Sequence, residues 1–309
     1  MKRRQFFIAA STVLFFVFPA RGHRNPDQVA EALSERIEAD GASVRLLTDR
    51  AYEHQSLGNW PAAVADFRAA IELEPRSRFA IIGCAEALLQ TDDWPQADTM
   101  AQRGLALDEN AASQAPFHAL RARVFSRQHR WPDALEAWRS ALRSPHPEID
   151  WFLGEAECLA RLARHPERVE ALAQAMTRNP SIVLRRAWIR ALVDSGEFEV
   201  AFQEIDRGMS KARWKSSWLL LRARIHGENQ RFGEQKVDAM AAWLELRNRV
   251  RSALSDPYLV KDAAWALGYL GERDQALAYV EKAPLLGVPE MDLLPIEQTI
   301  RKNSAALSN

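Results

Sequence analysis

The sequence predicts an all-α chain, a right-handed α-solenoid of about seven stacked helix–turn–helix repeats. Three observations predict it. The pair Trp60-Pro61 returns as Trp94-Pro95 34 residues later and as Trp131-Pro132 after 37 more. His165-Pro166, Phe198 and Phe232 continue the series at spacings of 34, 33 and 34. Small and apolar residues recur at helical spacing around each mark, and no alternating apolar runs bounded by hairpin turns are present.

The chain of 309 residues is 47% hydrophobic, which supplies a core and excludes a disordered chain. Formal charge is zero, but the first 22 residues hold Lys2, Arg3, Arg4 and Arg21 and no acid. Without them 37 basic residues face 41 acidic ones, a net of −4. A net acidic chain excludes nucleic acid as the main partner, since phosphate binding needs a basic surplus.

Residues 1–22 have the pattern of a secretory signal. Lys2-Arg3-Arg4 precedes an apolar run from Phe6 to Ala20, and Ala20-Arg21-Gly22 suits cleavage before His23. The run is short for a membrane span, which takes about 20 residues. The expectation is a periplasmic or secreted protein. The alternative is an inner-membrane anchor over residues 6–20, in which case membrane contact comes only through residues 1–22. Cys84 and Cys158 fall two repeats apart, roughly 20 Å at ordinary helix spacing. Both are therefore expected as buried free thiols rather than a disulfide.

Asn25-Pro26 opens a helix that Gly41 closes, with Asn as cap and Pro in the first turn. Residues 23–42 form an N-terminal capping helix, with Val29, Leu33 and Ile37 on its inner face. The first repeat runs from about Val44 to Pro75. Its first helix turns Leu47, Ala51, His54 and Leu57 inward, and its second Ala63, Phe67, Ala70 and Leu73. Repeat two, about 78–110, matches with Ala85, Trp94-Pro95, Ala97, Ala101 and Gly104, and has Asp92 where the first repeat has Gly58. Repeat three, about 115–147, has Ala122, Trp131-Pro132, Ala134, Trp138 and Ala141, after three extra residues in the connection 108–114. Repeat four, about 149–180, has Ala156, Leu159, Leu172 and Ala175. Repeats five and six, about 182–212 and 216–248, match less closely. They keep Gly196, Phe198, Ala201 and Gly208, then Ala223, Phe232 and Ala242. A connection over 249–256 leads to the seventh repeat, with Ala264, Leu267, Gly271, Ala276, Val280 and Ala283. Pro284, Gly287 and Pro289 end it, and residues 291–309 form a C-terminal cap and fraying tail.

Ala51, Gly58, Trp60, Ala63, Phe67, Ala70 and Pro75 stand where the tetratricopeptide repeat has its small, turn and aromatic positions, and the chain resembles that family over about residues 43–290. Alanines let the helices cross closely and aromatics fill the gap beside them. The resemblance implies that the first helix of each repeat lines a concave, peptide-binding face. At corresponding places that face carries Tyr52, Arg123, Arg127, Arg161, Arg190 and Arg224, with Arg186 one turn before Arg190. Trp265 and Tyr269 mark its far end. Arginine forks suit carboxylates, so an acidic segment or a C-terminal carboxylate of a protein or peptide partner is the expected ligand. Glu157, Asp194 and Glu228, on the same helices, are the competing internal partners. Family members that clamp a chaperone C-terminus use Lys and Asn on these helices, and this chain lacks those Asn residues.

No catalytic or metal-binding pattern is present, and the expectation is a chain with no enzymatic activity, no cofactor and no metal. His129, His146 and His165 are the nearest set of histidines and lack a carboxylate pattern. Glu155 and Glu157 lie two apart on a helix and do not face each other. The functional expectation is a scaffold of the bacterial cell envelope that binds a partner peptide on the concave face. The alternative is a carbohydrate-binding or enzyme-assisting module that uses Trp214, Trp218 or Trp243.

Overall fold

The computed structural model describes residues 25–107, 110–252 and 256–306. The expected signal segment, residues 1–22, lies outside the described residues. Those described form sixteen α-helices and one 3-10 turn and contain no strand. No helix among them is long and apolar enough to cross a membrane. Both cysteines are buried, and they do not form a disulfide. The architecture is an α-solenoid in which, within each of two units, each helix packs on its sequence neighbours. The helices group into two compact units, residues 1–128 and 129–309, which part at the turn of the third repeat.

The first unit holds α1 (Pro26–Asp40), α2 (Val44–Ser56), α3 (Trp60–Leu73), α4 (Arg78–Gln90), α5 (Trp94–Leu105) and α6 (Ala111–Arg127). Each packs on the next, and the first helices of successive repeats also touch, α2 on α4 and α4 on α6. The side chains of Asn25, Ser43, Asn59, Asp93 and Asn110 accept backbone N–H groups at five helix starts. The core runs through Leu47, Ala51, Ala63, Phe67, Ala85, Ala101 and Phe117.

The second unit holds α7 (Trp131–Ala141), α8 (Ile149–Arg161), α9 (His165–Arg178), α10 (Ile182–Asp194), α11 (Phe198–Ser210) and α12 (Ser216–Glu228). It continues with α13 (Phe232–Ser252), α14 (Pro257–Leu270), α15 (Arg273–Lys282) and α16 (Glu290–Ala306), the last preceded by the turn Pro284–Leu286. Trp60, Trp94, Trp131, His165, Phe198 and Phe232 each open a second helix, so the sequence period marks helix starts.

An aromatic ring seated on a glycine locks four of the joints. Phe67 of α3 lies on Gly83 of α4, Phe117 of α6 on Gly104 of α5, Trp138 of α7 on Gly154 of α8, and Trp218 of α12 on Gly208 of α11. A Cβ at any of these glycines would overlap the ring. The tryptophans at the repeat turns pack less deeply. Trp60, Trp94 and Trp131 are half-buried.

All seven helix–turn–helix joints pass through a left-handed residue. Three are glycines, Gly58, Gly196 and Gly271. The other four are Asp92, His129, Ala163 and Gln230, with φ between 55° and 58°. Alanine has no side-chain group to offset that conformation, which costs about 1–2 kcal/mol in an L-residue. Ala163 is exposed. Ala163→Gly is therefore expected to stabilise the second unit by about 1 kcal/mol, against the usual entropic cost of a glycine. Urea unfolding of the variant beside the parent checks this, and a lower midpoint would refute it.

The structure corrects several boundaries and facings. Leu57 and Leu73 are exposed rather than inward, because each sits at a helix end where the spacing rule loses its register. Ile71 is buried near the end of α3 instead. Phe232 is also exposed. Residues 249–252, expected in a connection, extend α13 by a turn, since no helix breaker precedes Pro257. Residues 111–114, expected in the connection, instead lengthen α6 at its start. Arg301 is helical, as α16 runs to Ala306 rather than fraying.

Two buried carboxylates clip first to second helices in the same way. Arg50 Nε and Nη2 donate to Asp66 at 2.8 and 2.6 Å, and His54 Nε2 stands 3.8 Å from the same carboxylate. Arg222 donates to Asp238 at 2.8 Å twice, with His226 Nε2 at 3.6 Å. The spacing, Arg then His four on and Asp sixteen on, is identical in the two.

Candidate partner-binding surface

The first helices of the repeats position every side chain expected to meet a partner. In the first unit these are α2, α4 and α6. Tyr52 on α2 is exposed, with its ring edge-on to Phe67 at 5.3 Å. Partial burial raises its phenol above the ordinary range, helped by the charges of Glu86 and Asp49. Arg123 on α6 reaches Glu86 on α4 at 3.4 Å. Arg127, the last residue of α6, is exposed and forms no hydrogen bond or ion pair among the described residues.

In the second unit the first helices are α8, α10, α12 and α14. Arg161 Nε donates to Glu157 one turn earlier at 2.6 Å, and its guanidinium lies 5.5 Å from the Trp131 ring centre. Arg186 donates to the Ser217 hydroxyl at 2.9 Å and covers Trp218 at 5.2 Å. Arg190 and Arg224 converge on one carboxylate. Arg190 Nη1 lies 3.1 and 3.0 Å from the two oxygens of Glu228, and Arg224 Nε lies 3.0 Å from the first of them. Asp194 pairs instead with Arg168 of α9 at 2.6 Å.

Internal carboxylates therefore occupy Arg123, Arg161, Arg190 and Arg224. These pairs are open to water, and such pairs contribute about 0–1 kcal/mol each. They hold the guanidinium groups in place while leaving them exchangeable. Around Glu228 the balance is uneven, with two cations on one anion.

A groove of about 320 Å³ adjoins that cluster. Arg224 and Glu228 line one side and Trp265 and Tyr269 of α14 another, with Gln298 and Thr299 contributed by α16. Trp265 stacks on Tyr269 at 5.2 Å with 28° between the planes. Burial pushes the Tyr269 hydroxyl well above its ordinary value. The sequence places Trp265 and Tyr269 on the first-helix face. It does not show that α16 walls the groove, because residues 291–309 carry no repeat pattern. Asp262, also on α14, has no repeat signal either. Burial pushes its carboxyl up to about 6, opposed by the charges of Arg186, Lys261 and Arg249.

No set of three His, Cys, Asp or Glu side chains among the described residues is grouped to hold a metal. Of the three tryptophans outside the repeat pattern, Trp218 is buried and Trp243 is half-buried against Tyr279. Trp214 is exposed, with Arg249 4.3 Å from its ring centre and Arg213 at 5.2 Å.

No known family pattern matches the chain. Over 141 residues it is 27% identical to a protein described as "Protein SGT1 homolog" from Oryza sativa subsp. japonica. That stretch is 46% of this chain and 38% of the rice protein, so the chain spans well under half of that relative. Among solved structures, a tetratricopeptide repeat protein from Parabacteroides merdae ATCC 43184 superposes with a TM-score of 0.54 at 14% identity. The superposition covers 89% of this chain and 99% of that one. MamA from Desulfovibrio magneticus RS-1 gives a TM-score of 0.45 at 19% identity over 51% of this chain and 87% of its own. Paired helices at a period near 34 and the long superposition on the Parabacteroides merdae structure lead to one conclusion: this chain has the tetratricopeptide-repeat fold.

Proposed function

We propose that the chain is a non-enzymatic scaffold of the bacterial cell envelope, exported by residues 1–22, that holds a protein partner on the first-helix faces of its repeats. The partner presents carboxylates. The observation that carries this reading is the unbalanced arginine set. Arg127 has no partner among the described residues, and Arg190 and Arg224 share the single carboxylate of Glu228. Exchangeable guanidinium groups at the surface fit a carboxylate ligand in bidentate geometry.

The test replaces Arg123, Arg127 and Arg190 together with Glu and compares capture from an envelope extract with the parent chain. Loss of a partner that the parent retains, with helicity unchanged by circular dichroism, is the expected result. Equal capture by both chains would move the binding surface off these helices.

A further inference from the structure

The groove between α12, α14 and α16 has a chemistry more specific than arginines alone. Its charged side holds Arg224, with Arg190 behind it, both bound to Glu228. Two guanidinium groups and one carboxylate leave a local charge of +1. Its other side is the stacked pair Trp265 and Tyr269, and Phe232, half exposed, stands at the rim. An anion alone would leave the aromatic side unused, and an apolar side chain alone would leave the excess charge unanswered. A ligand that places both at once matches the groove.

We propose that this groove binds an internal peptide segment in which an aromatic side chain stands next to Asp or Glu, with Glu228 as a built-in competitor. The aromatic side chain packs on Trp265, where offset or edge-on contact between rings is favourable. The ligand carboxylate takes Arg224 from Glu228. In the free protein Glu228 already holds both arginines in place, so little side-chain ordering is left for the binding step. It also repels the incoming carboxylate. Affinity is thereby set below what the arginines alone would give, and the site discriminates against anions with no aromatic neighbour.

This inference rests on the first-helix face being the partner surface, and its test is independent of partner capture. The full-length chain is titrated calorimetrically with short Gly/Ser peptides blocked at both ends and carrying Phe-Glu, Phe-Gln or Ala-Glu at the centre. The Phe-Glu peptide is expected to bind about ten-fold more tightly than either of the others. In Glu228→Gln the Phe-Glu peptide is expected to tighten about five-fold while the Phe-Gln peptide is unchanged, because only the former feels the removed charge. Trp265→Ala weakens the Phe-Glu peptide toward the Ala-Glu value. A gain of affinity in Glu228→Gln cannot come from misfolding, so the proposal does not depend on a loss. Weaker or equal binding by Glu228→Gln overturns it. So does binding by a version of the Phe-Glu peptide with a free C-terminus when the blocked peptide does not bind, which would make the ligand a terminal carboxylate. Peptide binding without loss of capture in the triple arginine variant would overturn the broader reading and leave the groove standing. The reverse pattern would do the opposite.

Discussion

Phe67→Ala is expected to lower the stability of the first unit by about 3–5 kcal/mol, toward the upper end of what a buried aromatic costs. The ring is fully buried and lies between α2, α3 and α4. On one side is Gly83, which has no side chain to move into the space left behind. On the other is Tyr52, edge-on at 5.3 Å and already partly in solvent. Collapse of the cavity would need a shift of α4 against α3, and α4 is also held by α5 and α6. Hydrogen exchange read over α2 to α4 measures the effect, as a drop in protection confined to those helices. Phe67→Leu keeps most of the volume and should cost about half as much or less. A loss below about 1.5 kcal/mol for the alanine variant would show that the joint can repack.

The second large effect belongs to Asp238. Its carboxylate is buried and accepts two hydrogen bonds from Arg222, with His226 close by. Asp238→Ala leaves Arg222, among the described residues, with the exposed Asp206 2.7 Å away. Removing one partner of a buried pair costs about 3–5 kcal/mol, and the remaining contact to Asp206 places this case near 3. The variant should also change the response to acid. Burial holds the His226 imidazole below its ordinary value, while Asp238 and Glu234 pull it back up. A histidine with a depressed native value takes up its proton more readily unfolded, so stability falls as pH drops through the unfolded value near 6.5. Without Asp238 the depression deepens. Melting temperatures from pH 8 down to pH 5 should fall more steeply in the variant than in the parent, and parallel curves would refute the coupling.

The sequence contained most of the repeat frame because each repeat must solve the same packing problem. Trp60, Trp94, Trp131, His165, Phe198 and Phe232 all open second helices, and the alanines at close crossings are almost all fully buried. Four of the left-handed turns were not legible. Asp92, His129, Ala163 and Gln230 carry no glycine signal, and the surrounding helices force the conformation on them. The ends of helices were also poorly legible. Spacing assigns Leu57 and Leu73 to the inner face, but both stand at helix ends and are exposed. On the candidate surface, the arginines could be placed on their helices from the period alone. Their partners could not. Arg190 and Glu228 meet between neighbouring repeats, and Asp194 pairs with Arg168 of the preceding helix. Such pairings depend on the offset between stacked helices, which one sequence does not encode locally.

The neighbour-to-neighbour packing of the helices also bears on how the chain forms. Within each unit the cores join helices that are adjacent in sequence or one helix apart. No contact of that kind requires the chain to close a long loop first, and the entropy of loop closure is what slows most folds. Any adjacent pair with a good socket, such as α3 and α4 around Phe67 and Gly83, can serve as a starting point. Growth then proceeds in both directions by adding one helix at a time. The same locality lets a terminal helix melt without bringing down its whole unit. A lesion such as Phe67→Ala should therefore divide the first unit into segments that unfold at different denaturant concentrations, rather than shift one sharp transition.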